Sequence, residues 1–234
     1  MPDVKYSEAV ARLATLPAVL PASYPALRPM RIGEDGKTHA TETLNDRMQP
    51  GVGGPGEGGT GVAPGVGRPA SVLVLVTPGE DGDAHVILTE RVARGNRPHS
   101  GEISFPGGVV EPEDVDAVAT ALREANEEVG LDAEAAGVRV IGLLDLFYIP
   151  VSGFAVTPVL AIAERRPVLV ASPAEVARIL EAPLRHFLPG APIEVHERPM
   201  QDWRLRYGAF HVEEVVVWGA TARILGQLGA LLGD

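Results

Sequence analysis

Residues 116–131 read Asp116-Ala-Val-Ala-Thr-Ala-Leu-Arg123-Glu124-Ala-Asn-Glu127-Glu128-Val-Gly130-Leu131. Val115, Val118, Ala119, Leu122, Ala125 and Val129 recur at spacings of three and four, which predicts a helix over 116–129 with one apolar face. Pro112 and the acids around it suit a helix start, and Gly130 suits the position just past its end. At about 100° per residue, Glu124, Glu127 and Glu128 fall within an arc of roughly 100°. One face therefore packs on a neighbouring layer while another gathers three carboxylates. Like charges so close raise one another's pKa unless something positive compensates. A hard divalent cation with a preference for oxygen, Mg²⁺ or Mn²⁺, would do so. Arg123 lies one turn from Glu127 and can hold it.

A Glu-Glu pair on a helix is by itself an ordinary solvated face. The residues just upstream change that reading. Phe105-Pro106-Gly107-Gly108 places two glycines that let backbone come close to a metal or a phosphate, at the entry to the same helix. Around this centre the chain alternates types. Residues 70–76 and 85–89 read as strands joined by a turn, and further strands are expected at 138–144 and 154–162. Ser172-Pro-Ala-Glu175 has the form of a capping box and predicts a helix to about Leu180. Strands are expected near 193–196, 203–207 and 212–217, and a last helix over 220–232.

Towards the N-terminus, Gly51 to Gly67 is too rich in glycine and proline to bury an apolar face and predicts a flexible loop. It divides the chain into an N-terminal extension (1–67, linker included) with one amphipathic helix near Tyr6 to Leu16, and a main domain (68–234). Asp3, Glu8 and Arg12 stand against reading the first residues as a targeting signal.

Composition sets the outer limits. Of 234 residues, 45% are hydrophobic, enough for a real core, yet no run reaches the roughly 18 continuous apolar residues of a membrane span. The net charge of −11 argues against a broad surface for a nucleic-acid polymer. The absence of cysteine removes thiolate metal sites and fits a cytoplasmic location. Trp203 and Tyr207 read as core or interface residues rather than a base-stacking pair. His186, His196 and His211 lack ligand spacing and read as ordinary.

The conjunction of Gly107-Gly108 with Arg123, Glu124, Glu127, Glu128, Gly130 and Leu131 resembles the Nudix box, G-x5-E-x7-R-E-U-x-E-E-x-G-U. Ala125 is small for the aliphatic slot, and the loop is one residue long, so Glu111, Glu113 or Asp114 could fill its acid position. The resemblance implies an α+β fold, an α/β/α sandwich around a mixed sheet. It implies a hydrolase that cleaves a diphosphate with Mg²⁺ or Mn²⁺ on Glu124, Glu127 and Glu128, helped by the carbonyl of Gly107 or Gly108. Glu124 or Glu127 would act as base, with Arg123 beside them, unless the base comes from a downstream loop. A homodimer is common in the superfamily.

Residues 88–108, with Leu88, Thr89, Arg91, Arg97, Gly101 and Phe105 to Gly108, also resemble the signature of the coenzyme A diphosphatase branch. Segments 150–158, Glu175-Val176 and Trp218-Gly-Ala-Thr221 look like the same branch. Arg91, Arg94, Arg97 and His99 concentrate positive charge in an acidic chain and suit a ligand with an extra phosphate. That resemblance implies coenzyme A or acyl-coenzyme A as substrate, with 3′,5′-ADP and (acyl-)4′-phosphopantetheine as products. ADP-ribose, NADH or another nucleoside diphosphate derivative is the alternative within the family. A catalytically inactive ligand-binding module is the alternative outside enzymes.

Overall fold

The computed structural model describes residues 3–40, 67–93, 101–149, 152–200 and 202–233. The glycine-rich stretch therefore falls, except for Gly67, outside the described residues. In chain order the elements are α1 (Tyr6–Leu13), β1 (Met30–Ile32), β2 (Thr38–Ala40), β3 (Arg68–Pro78), β4 (Ala84–Arg91), β5 (Ile103–Ser104) and β6 (Gly107–Val109). Then follow α2 (Ala117–Val129), α3 (Ala133–Ala136), β7 (Val138–Leu143), β8 (Phe147–Ile149), β9 (Phe154–Ala163) and β10 (Val176–Pro183). The chain closes with β11 (Glu194–Pro199), β12 (Arg204–Val212), β13 (Val215–Val217) and α4 (Gly219–Leu232).

The main sheet runs β10-β4-β3-β9-β7, with β5 on β4, β6 on β3 and β8 on β9. β3 and β9 are parallel and the other pairs antiparallel, so the sheet is mixed. Its central strands are continuous apolar runs because both faces are covered. On β3, Leu73 and Leu75 pack with Ala121, Ala125 and Val129 of α2. Val74 and Val76 point the other way, into a core shared with Leu13 of α1 and Leu225 and Leu228 of α4. On β4 and β9 the same alternation sends Ile87 and Val159 to one side and Leu88 and Leu160 to the other. The α/β/α layering expected from the resemblance is thus present. No helix among the described residues is long and apolar enough to cross a membrane.

The N-terminal residues are knit into this body. Ala9 and Leu13 are fully buried in the main core, the Tyr6 hydroxyl donates to the Ala163 carbonyl, and Lys5 pairs with Asp83. A second, smaller sheet not foreseen from sequence runs β11-β12-β1-β2, with β13 also on β12. Strands β1, β2, β5, β6 and β8, of two or three residues each, are too short to leave a periodic signal.

The helix expected from Ser172 to Leu180 is instead one turn followed by strand β10. The Ser172 carbonyl accepts from the N–H groups of Glu175 and Val176. The chain then pairs antiparallel with β4, with a bulge between Val176 and Arg178. The extra residue puts Val176 and Ile179, three apart, on the same side of the sheet, while Leu180 and Ala182 face the other. A bulged strand therefore imitates helical spacing. The expected 212–217 strand is likewise a tight hairpin between β12 and β13, with Glu213 in the left-handed region at φ 51°.

Candidate active site

Helix α2 begins at Asp116, whose side chain caps the Ala119 N–H, and ends at Gly130 in a left-handed conformation. The packing of its apolar face on β3 turns Glu124 and Glu128 towards β6, with Glu128 also beside the end of β4, while Glu127 stays exposed next to Arg123. The three acids differ sharply in environment: Glu128 is 3% exposed at its side chain, Glu124 14% and Glu127 57%. Glu128 accepts the Gly107 N–H at 3.0 Å and sits 3.6 Å from the Arg91 guanidinium. Burial nevertheless pushes its carboxyl up to about 7, against the pull of Gly107 and Arg91. Burial also raises Glu124, with Arg123 opposing.

The glycines make this contact possible. A Cβ on Gly108 would lie 2.4 Å from a Glu124 carboxylate oxygen. One on Gly107 would lie 2.4 Å from the Ser71 carbonyl oxygen, inside the β3–β6 pairing. Backbone thus runs directly against two of the three carboxylates.

Arg123 is the organiser of the helix face. Its Nε and Nη2 grip Asp114 at 3.0 and 2.9 Å, and Nη2 also reaches the Val109 carbonyl at 3.0 Å. Nη1 is left to touch Glu124 at 3.1 Å and Glu127 at 3.3 Å. Asp114 accepts further from Thr120 Oγ1 and the Glu111 N–H. Arg123 first, then these donors, hold the Asp114 carboxyl well below the usual carboxylate range. Of the three loop acids, Asp114 is the one joined to Arg123.

Arg91, at the end of β4, stands beside Glu128 with 39% of its side chain exposed. Arg94, Arg97 and His99 lie outside the described residues. Glu175, which reads in sequence as part of a helix cap, is exposed just ahead of β10. Its charge acts on both Glu124 and Glu128, and its carbonyl accepts the Val92 N–H at 2.9 Å. The pairing of β10 with β4 sets its place in the fold. Trp203 lies under the Arg31 guanidinium and Tyr207 against Trp218, both half-buried on the smaller sheet. His186 is half-buried beside Phe187, as expected of an ordinary histidine. His196 and His211, in contrast, are drawn together. A groove beside the paired strands β4 and β10 is lined by Glu80, His85, Arg166, Arg178 and Glu181. Arg166 is tied to Glu80 and Glu181 and Arg178 to Glu90, so its cations are already engaged.

The donor set on α2 is all oxygen and carries more negative charge than Arg91 and Arg123 offset, since Arg123 spends its fork on Asp114. That chemistry fits a hard divalent cation. It does not fit a soft or imidazole-seeking one.

Comparison with known proteins is consistent with this arrangement. The sequence model described as NUDIX domain matches residues 67–177. The protein named Uncharacterized Nudix hydrolase NudL of Cronobacter sakazakii is 39% identical over 173 residues, 71% of this chain and 84% of that one. Nudix hydrolase 22, chloroplastic, of Arabidopsis thaliana is 38% identical over 167 residues, 68% of this chain and 53% of the plant protein. Nudix hydrolase 15, mitochondrial, of the same plant is 36% identical over 162 residues, 67% of this chain and 55% of its own length. The chain therefore spans about half the length of these two plant relatives.

Proposed function

The chain belongs to the Nudix hydrolase family, and from that premise we propose that it cleaves the diphosphate of coenzyme A or acyl-coenzyme A, with Mg²⁺ or Mn²⁺ held by Glu124, Glu127 and Glu128. The observation that supports the reading best is that Glu128 and Glu124 lie against Gly107 and Gly108, with Glu127 joined to Glu124 through Arg123 and Glu128 buried enough to be raised to about 7. When bound, the cation would neutralise diphosphate oxygens and lower the pKa of the attacking water.

The chain's own residues do the rest. Asp114 fixes Arg123, and Arg123 aims Glu124 and Glu127. One of these two accepts the water proton as the new O–P bond forms and the bond from phosphorus to the bridging oxygen breaks. Glu175, brought in by β10, is the downstream alternative for that base. The bridging oxygen leaves on the second phosphate. Arg91 reaches the phosphates beside Glu128. Coenzyme A is favoured over a simple sugar nucleotide by the concentration of Arg91, Arg94, Arg97 and His99 in an otherwise acidic chain.

The test is incubation of the protein and Mg²⁺ or Mn²⁺ with coenzyme A, ADP-ribose and NADH separately, with products identified by mass spectrometry. The reading expects 3′,5′-ADP from coenzyme A, lost in Glu127→Gln. Cleavage of ADP-ribose or NADH alone would overturn the coenzyme A assignment and leave the diphosphatase.

A further inference from the structure

Strand β11 places Glu194 and His196 two residues apart, hence on one face of the smaller sheet. On β12, Ala209 lies opposite Glu194, and His211 follows two residues later on that same face. Three side chains separated by up to 17 positions in sequence thus meet across one hairpin. His211 Nε2 is 3.0 Å from a Glu194 carboxylate oxygen, His196 Nε2 is 3.8 Å from it, and the two Nε2 atoms are 3.5 Å apart.

We propose that Glu194, His196 and His211 form a second metal site, selective for Zn²⁺ or a similar borderline cation such as Co²⁺ and separate from the α2 carboxylates. The distances carry the argument. Ligands about 2.0–2.1 Å from a tetrahedral Zn²⁺ are separated from each other by about 3.3–3.4 Å. The three observed separations bracket that value. At Nε2 each imidazole presents either an N–H or a lone pair, so the three atoms can be joined by hydrogen bonds or, with both lone pairs turned inward, by one cation. A shared cation satisfies all three at once.

The rings are held ready for it. His196 stacks on Tyr207 at 5.7 Å and 21°, and on His211 at 5.7 Å and 23°, which fixes the planes in which the lone pairs lie. All three side chains remain reachable from solvent, at 62%, 33% and 41% exposure for Glu194, His196 and His211. Two imidazoles and a carboxylate suit Zn²⁺, whereas Mg²⁺ prefers an all-oxygen shell. Three protein ligands leave a fourth position open to water.

Titration of the full chain with Co²⁺ distinguishes the two sites, because four-coordinate Co²⁺ absorbs strongly in the visible and a six-coordinate oxygen site does so only weakly. The expected result is one equivalent of the intense band in the unsubstituted protein and in Glu127→Gln, bleached by one equivalent of Zn²⁺. The band should be lost in His211→Ala and in His196→Ala, with circular dichroism and diphosphatase activity unchanged. Absence of the band in the unsubstituted protein would overturn the proposal, leaving a hydrogen-bonded cluster only. So would its persistence in the double variant His196→Ala/His211→Ala, or its loss in Glu127→Gln.

Discussion

Two acids at opposite ends of the same helix region have opposite fates. Asp114, just ahead of α2, and Glu128, in its last turn, expose 5% and 3% of their side chains. Asp114 is met by a bidentate guanidinium, a hydroxyl and a backbone N–H, and is held well below the usual carboxylate range. Among the described residues Glu128 is met by one N–H and an arginine 3.6 Å away, and it rises to about 7. Burial alone therefore does not distinguish a structural acid from a functional one. The number of donors that meet the charge does. The saturated acid builds the scaffold, and on the proposed reading the undersupplied one is completed by a cation.

The sharpest way to probe the functional end is Glu127→Gln or Glu124→Gln. Each should lower kcat by about 10²–10⁴-fold, the range for losing a positioned base or a metal-activated water. Circular dichroism and the thermal midpoint of the metal-free protein should change little for the exposed Glu127.

Glu128→Gln should separate activity from stability. Its carboxyl is raised from 4.5 to about 7 in the metal-free fold, so between those values the folded state binds more protons than the unfolded chain. The stability this confers is present below pH 4.5 and lost as pH rises to about 7. The loss is on the order of 3 kcal/mol at ~1.4 kcal/mol per pH unit. Urea unfolding of the metal-free protein across this window should show that slope, absent in Glu128→Gln. At pH 8 the variant should be the more stable protein and the poorer enzyme.

Asp114→Asn tests the structural end and should have the opposite sign. A depressed carboxyl contributes stability above its unfolded value and loses it as pH falls. The variant should melt at a lower temperature at neutral pH and show a shallower acid limb. Arg91→Ala should have the smallest effect, raising KM roughly tenfold, the order expected for one charge-assisted contact. An unchanged KM would remove Arg91 from the substrate site.

The acids of α2 were legible in the sequence because they are local. Arg123, Glu124, Glu127 and Glu128 lie within two turns of one helix, so helical periodicity alone puts them together. The elements β3, β4, β9 and α2 were legible because they are long apolar runs or show a helical period, while the α/β/α layering came from the family resemblance. What escaped depends on pairing between distant strands. The bulge at Val176 disguised β10, which lies on β4, as a helix, although Glu175-Val176 itself was picked out by the branch resemblance. Glu194, His196 and His211 meet only through the β11–β12 register, which no spacing within either strand announces.

The most direct test of the central claim is a Mn²⁺ titration at pH 7.5, with free Mn²⁺ followed by electron paramagnetic resonance. The account predicts binding by the unsubstituted protein and by His211→Ala, weakened at least about tenfold in Glu128→Gln and in Glu124→Gln, the order expected for losing a charged ligand. Equal Mn²⁺ affinity in all four proteins would contradict it, because the buried carboxylate of α2 would then have no part in holding the cation.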